Sequence, residues 1–110
     1  MSNDHYDTLE LRDPQAREAA LLAALPAQLR AALSTAAFAE RLAGVEPASI
    51  TTREALARLP VTRKHELLER QKAARAAGGD PFGGFSAIGW RAQGAVRTAR
   101  RVFQSPGPIY

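Results

Sequence analysis

The 110 residues contain no cysteine. That excludes a disulfide framework, a thiolate metal site and a thiol nucleophile, and it fits a reducing compartment. Long hydrophobic runs are missing too. The longest, Ala19 to Ala27, is interrupted by Pro26 and falls short of the roughly 18 residues a membrane span needs. The opening Met1 to Asp7 is polar and acidic rather than a basic-then-apolar leader, so the expected location is cytoplasmic, without a membrane partner. Aromatic residues make up only 6% of the chain. Phe82, Phe85, Trp90 and Phe103 in the last third do not alternate with arginines, as a base-stacking surface would require. No recognition helix or zinc finger is visible either, and nucleic-acid binding is not expected.

Apolar residues account for 45% of the sequence, but 23 of them are alanine. Leucine, isoleucine, valine and phenylalanine together fill 23 positions, close to the level of about 20% below which chains tend not to fold. One domain with a thin core is the expectation, because a small domain buries a small share of its surface. The net charge of +4 is unevenly spread. Residues 1–70 hold 9 basic and 10 acidic side chains, whereas residues 71–110 hold Lys72, Arg75, Arg91, Arg97, Arg100 and Arg101 against Asp80 alone. Such a basic end could meet an anionic partner, or be a solvated face of an arginine-rich chain.

Three regions follow from the pattern: a tail over 1–12, a helical region over 13–77, and a glycine-rich remainder over 78–110. Asp13-Pro14 is a helix start, an Asx cap followed by proline in the first turn. Leu21, Leu25, Leu29 and Leu33 then recur every fourth residue, with Leu22 beside them, as one apolar stripe. Pro26 lacks an amide hydrogen and its ring clashes with the carbonyl four residues back. The expected outcome is two helices, about 14–25 and 27–43, the second extended by Phe38 and Leu42 and stopped by Gly44. Thr51-Thr52-Arg53-Glu54 has the form of a capping box with Thr51 as cap. A short helix would follow, burying Leu56 and Leu59 and ending at Pro60. Thr62 is the expected cap of a fourth helix, about 63–76, with Leu67 and Leu68 inward and Gly78-Gly79 as terminator.

Six of the eight glycines lie between residues 78 and 94. Gly78 to Phe85 reads as an ordered loop anchored by Phe82 and Phe85. A phosphate cradle is the competing reading, but no Gly-Lys-Ser/Thr follows and no strand precedes it, so a packing loop is expected. Arg101 to Gln104 is a candidate strand, one of one or two expected near 101–105. It enters the turn Ser105-Pro106-Gly107-Pro108, as though a sheet should begin there. The chemistry-bearing residues do not converge. His5 and His65 have no ligand set at metal spacing, and His65 lies on the polar side of its helix. Ser34, Ser49, Ser86 and Ser105 lack a nucleophile-elbow context. Asp4 and Asp7 pair only within the tail.

Four stretches resemble one family, the phenylacetate–CoA ligases of the adenylate-forming acyl-CoA synthetases. Tyr6-Asp7-Thr8-Leu9-Glu10-Leu11-Arg12-Asp13-Pro14 is similar to the family's "YD-x-LE-x-RDP" lead-in. Leu59-Pro60-Val61-Thr62-Arg63-Lys64-His65-Glu66-Leu67 resembles its "LP-x-T-x-K-x-x-L" segment, and Asp80-Pro81-Phe82-Gly83-Gly84-Phe85-Ser86-Ala87 its "YPFG-x-FAV" loop. Arg101 to Gly107 falls where the family has a strand entering "ASSGTTGKPT". The resemblance implies a mainly helical leading subregion, of about four helices, of a larger α/β adenylate-forming domain. It implies ATP, magnesium and coenzyme A for the parent family, with an aryl carboxylic acid as substrate, and none of these cofactors for this chain by itself. Ser105 and Gly107 keep their places as remnants of the ATP phosphate loop. Pro106 and Pro108 remove two backbone amides there, and Ile109 and Tyr110 replace a threonine and a glycine. Later parts of the family's chain carry the acid pocket, so these 110 residues alone are expected to be inactive. Partners would be the rest of the parent polypeptide, or a second copy through exposed leucine faces. The alternative is a free-standing helical module that binds a protein partner.

Overall fold

The computed structural model describes residues 4–87. These are mainly helical: four α-helices, α1 (Pro14–Leu33), α2 (Ala36–Arg41), α3 (Arg53–Ala57) and α4 (Lys64–Ala76), with single 3-10 turns at Thr8–Leu11 and Pro47–Ser49. No strand occurs among the described residues. The expected strand at 101–104, the turn that follows it, and Ser105 and Gly107 all lie outside them.

Helix α1 starts as its sequence dictates. The Asp13 carboxylate accepts the Ala16 amide at 3.1 Å, and Pro14 occupies the first turn, where its missing N–H is not needed. The expected break at Pro26 does not occur. Pro26 sits inside one continuous 20-residue helix. Alanines at 23, 24 and 27 are strong helix formers, and Leu25, Leu29 and Leu33 on either side of the proline are held in the core. The break comes instead at Ser34-Thr35. The Ser34 hydroxyl donates to the Ala31 carbonyl at 2.6 Å and the Thr35 hydroxyl to that of Ala32 at 2.8 Å. These side chains satisfy the carbonyls at the helix end, Thr35 turns extended, and the expected helix 27–43 is divided between α1 and the six-residue α2.

The core is small. Leu29, Leu42 and Ile50 are its buried centre, with Leu25, Leu33, Phe38, Val45, Ala55 and Leu59 packed around them. Among the described residues no large side chain is fully enclosed. Helix α1 supplies one wall, and α2 and the Pro47–Ser49 turn pack against it. A four-residue repeat drifts about 40° per step around a helix. With Leu29 at the centre, Leu25 and Leu33 flank it, while Leu21 is carried round to the edge and is 61% exposed.

Two caps differ from expectation by one residue. Thr52, not Thr51, caps α3, its hydroxyl accepting the Ala55 amide at 3.1 Å. This turns Ala55 toward the core and leaves Leu56, expected to be buried, 41% exposed. Arg63, not Thr62, precedes α4, where the Glu66 carboxylate accepts the Arg63 amide at 3.2 Å. Arginine has no acceptor to return the bond, so this is half of a capping box. Leu67 is half-buried, but Leu68, expected inward, is exposed. The terminator of α4 is as expected. Gly78, at φ +72°, donates to the Arg75 carbonyl at 3.0 Å, and Gly79 to that of Ala74 at 2.8 Å, the paired bonds of a Schellman ending.

Candidate functional site

Two places gather side chains from separate elements. The first is an open groove of about 490 Å³ between the N-terminal half of α1 and α3. Its floor is Leu21, Leu22, Leu25 and Leu56, and Pro14, Arg17, Glu18 and Arg53 form the rim. It exists because α1 extends about 30 Å while the core covers mainly its C-terminal half. Arg53 donates to the Glu18 carboxylate across the rim. That hydrogen bond holds Glu18 below the ordinary glutamate range, against a smaller opposing effect of desolvation, and raises Arg53. Arg17 donates to the Glu10 carbonyl at 3.1 Å.

The second is the loop Asp80–Phe85. The backbone amides of Phe82, Gly83, Gly84 and Phe85 are all used internally. Phe82 and Gly84 each donate to the Asp80 carboxylate at 2.9 Å, Gly83 donates to the Asp80 carbonyl at 2.9 Å, and Phe85 to that of Phe82 at 3.2 Å. The acid side chain therefore occupies the place an external phosphate would take in a glycine-rich cradle. The packing-loop reading holds, and this loop does not fit the phosphates of a nucleotide. Its other contacts face inward. Arg70 on α4 donates from Nε to the Gly83 carbonyl at 2.7 Å and from Nη1 to Glu40 on α2 at 2.8 Å. Its guanidinium also lies 5.8 Å from the centre of the Phe85 ring. Phe85 meets Phe38 edge-to-face at 5.3 Å, so one expected anchor packs as foreseen, and Phe82 is half-buried.

Between the two places Arg41, at the end of α2, donates to the Val61 carbonyl at 3.0 Å and to Glu66 at 2.8 Å. The Arg63 amide first, and then Arg41, holds Glu66 below the ordinary glutamate range against desolvation. Sequence reading missed Arg41, Glu40 and Arg70. Their partners lie 13 to 30 residues away, so no local pattern marks them.

Of the residues singled out in the sequence, His65 is exposed as expected. His5 faces Glu10 at 3.5 Å, and Asp7 caps the first 3-10 turn by accepting the Leu9 amide at 2.8 Å. Among the described residues, no group of three or more His, Cys, Asp or Glu could hold a metal ion. No helix there is long and apolar enough to cross a membrane. No protein-family model, curated protein or solved structure matches this chain.

Proposed function

We propose that this chain is the helical lead-in of an AMP-forming acid–CoA ligase of the phenylacetate–CoA ligase kind. In this role residues 13–77 scaffold the Asp80–Phe85 loop and set where the following chain departs. One observation carries the reading. Three of the segments that resemble the family fall on or across the joints of the fold. The first supplies the cap of α1 through Asp13 and Pro14. The second spans the connection into α4 and contributes Glu66 as partner of the Arg63 amide and Arg41. The third is the loop tied by Arg70. Joints are where particular residue types are needed, so a match there carries more weight than one in an alanine-rich helix.

In such a ligase a carboxylate attacks ATP, pyrophosphate leaves, and the coenzyme A thiol then displaces AMP from the acyl-adenylate. On this reading the part of the described residues is structural, and the 110 residues alone are expected to be inactive. The test uses the coding sequence beyond Tyr110. A reading frame that continues into adenylation motifs, and whose longer product catalyses phenylacetate-dependent ATP–pyrophosphate exchange while the 110 residues alone do not, supports the proposal. A frame without such motifs, or exchange by the 110 residues alone, overturns it. The groove favours a second reading, a module that docks a protein through Leu21 and Leu56, which are 61% and 41% exposed. That reading requires the 110 residues to be a stable monomer with the groove open.

A further inference from the structure

We infer that the Asp80–Phe85 loop and helix α2 form a single conformational unit that opens and closes together, with Arg70 as its latch. This rests on the contacts alone and does not depend on the ligase reading.

Helix α2 has six residues, well under the roughly 12 to 15 that an isolated helix needs to persist in water. Its own cap is spent elsewhere. The Thr35 hydroxyl points back to the Ala32 carbonyl and caps no amide of α2. The Ala37 amide, one of the first-turn donors a helix leaves without an internal partner, is instead satisfied by the Gly84 carbonyl at 3.0 Å. The loop thus completes the start of α2. Further along, Phe38 carries the Phe85 ring, and Glu40 receives Arg70, which in turn holds the Gly83 carbonyl, so α2 holds the loop directly at two residues and through Arg70 at a third.

The loop depends on α2 in return. Gly83 and Gly84 have φ of +64° and +81°, which glycine adopts without strain; the Asp80 bonds shape the turn, and its outer contacts are what fix it against the helices. A side chain at position 84 would press on Ala36 Cβ and the Ala37 amide nitrogen, both at 3.3 Å, so the approach is close as well as polar. Arg70 bonds to both halves, through Gly83 and Glu40. Hydrogen bonds from a charged group to a carbonyl or carboxylate are stronger than neutral ones, so its removal should release both at once.

Amide hydrogen exchange on the full 110-residue chain reads this directly. In Arg70→Met, the loop amides of Phe82, Gly84 and Phe85 should exchange faster. The α2 amides of Ala37, Ala39 and Leu42 should accelerate by the same factor, about ten- to a hundredfold for one lost charged anchor. The α1 amides should keep their rates. Glu40→Gln keeps the shape and removes one charge, and should accelerate the same two sets by a smaller common factor. Faster exchange in the loop with unchanged rates at Ala39 and Leu42 would overturn the inference. So would an increase shared equally by α1 in both variants, since the unit would then have no independent existence.

Discussion

Replacing Pro26 with alanine should stabilise this protein. Proline in a helix interior costs about 3 kcal/mol relative to alanine, through the lost amide and the clash with the carbonyl four residues earlier. Here that carbonyl belongs to Leu22, inside the continuous helix Pro14–Leu33. Against the gain stands the packing of the ring. Pro26 is half-buried, and removing two half-covered methylenes forfeits about 0.8 kcal/mol. The expected net gain is about 2 kcal/mol. For a domain of this size that corresponds to roughly 8 to 16 °C in Tm. Urea unfolding followed by far-ultraviolet circular dichroism is the assay, with the slope unchanged and the midpoint raised. An unchanged or lowered midpoint would refute the reasoning. It would mean that the proline shapes α1 so that Leu29 and Leu33 meet the core, and that this is worth more than the missing hydrogen bond.

Leu29→Ala should cost about 2 to 4 kcal/mol in the same assay, because it empties the centre of the core. Leu21→Ala, at the groove edge, should cost under about 0.5 kcal/mol, and equal losses would show that the groove is covered in solution. Glu18 and Glu66 both titrate lower in the folded chain than in the unfolded one. Their contribution is therefore complete above the ordinary glutamate value of about 4.3 and is lost as pH falls through their folded values. Stability should be flat near neutrality and decline in acid. The double variant Glu18→Gln, Glu66→Gln should flatten that decline, and an unaltered acid limb would reject these two groups as its source.

Much of the local architecture was legible. Asp13-Pro14 named the start of α1 and Gly78-Gly79 the end of α4 because both signals act within a few residues. Helix ends went wrong where two neighbours competed for one role. At Thr51-Thr52 the second hydroxyl took the cap, and the shift of one residue rotated Leu56 out and Ala55 in. Pro26 counts for less in this fold than its local rule predicts and Ser34-Thr35 for more: a proline weakens a helix that alanine and leucine packing can sustain, whereas paired hydroxyls give the chain another way to satisfy its carbonyls. In the loop, the glycines and Phe85 were visible, but not Arg70, because a contact across 13 residues leaves no periodic trace. The reading of Ser105 and Gly107 as parts of a phosphate loop stands on the resemblance alone, and both lie outside the described residues.

The carboxylate of Asp80 gives the glycine-rich loop a built-in counter-anion. A phosphate or sulfate approaching this turn finds its donors already claimed and meets negative charge instead. An Asp80→Gly chain would invert that character, exposing the Phe82 and Gly84 amides beside Arg70. It would also lose the two bonds that shape the turn, so the closed joint and its refusal of anions have a single source.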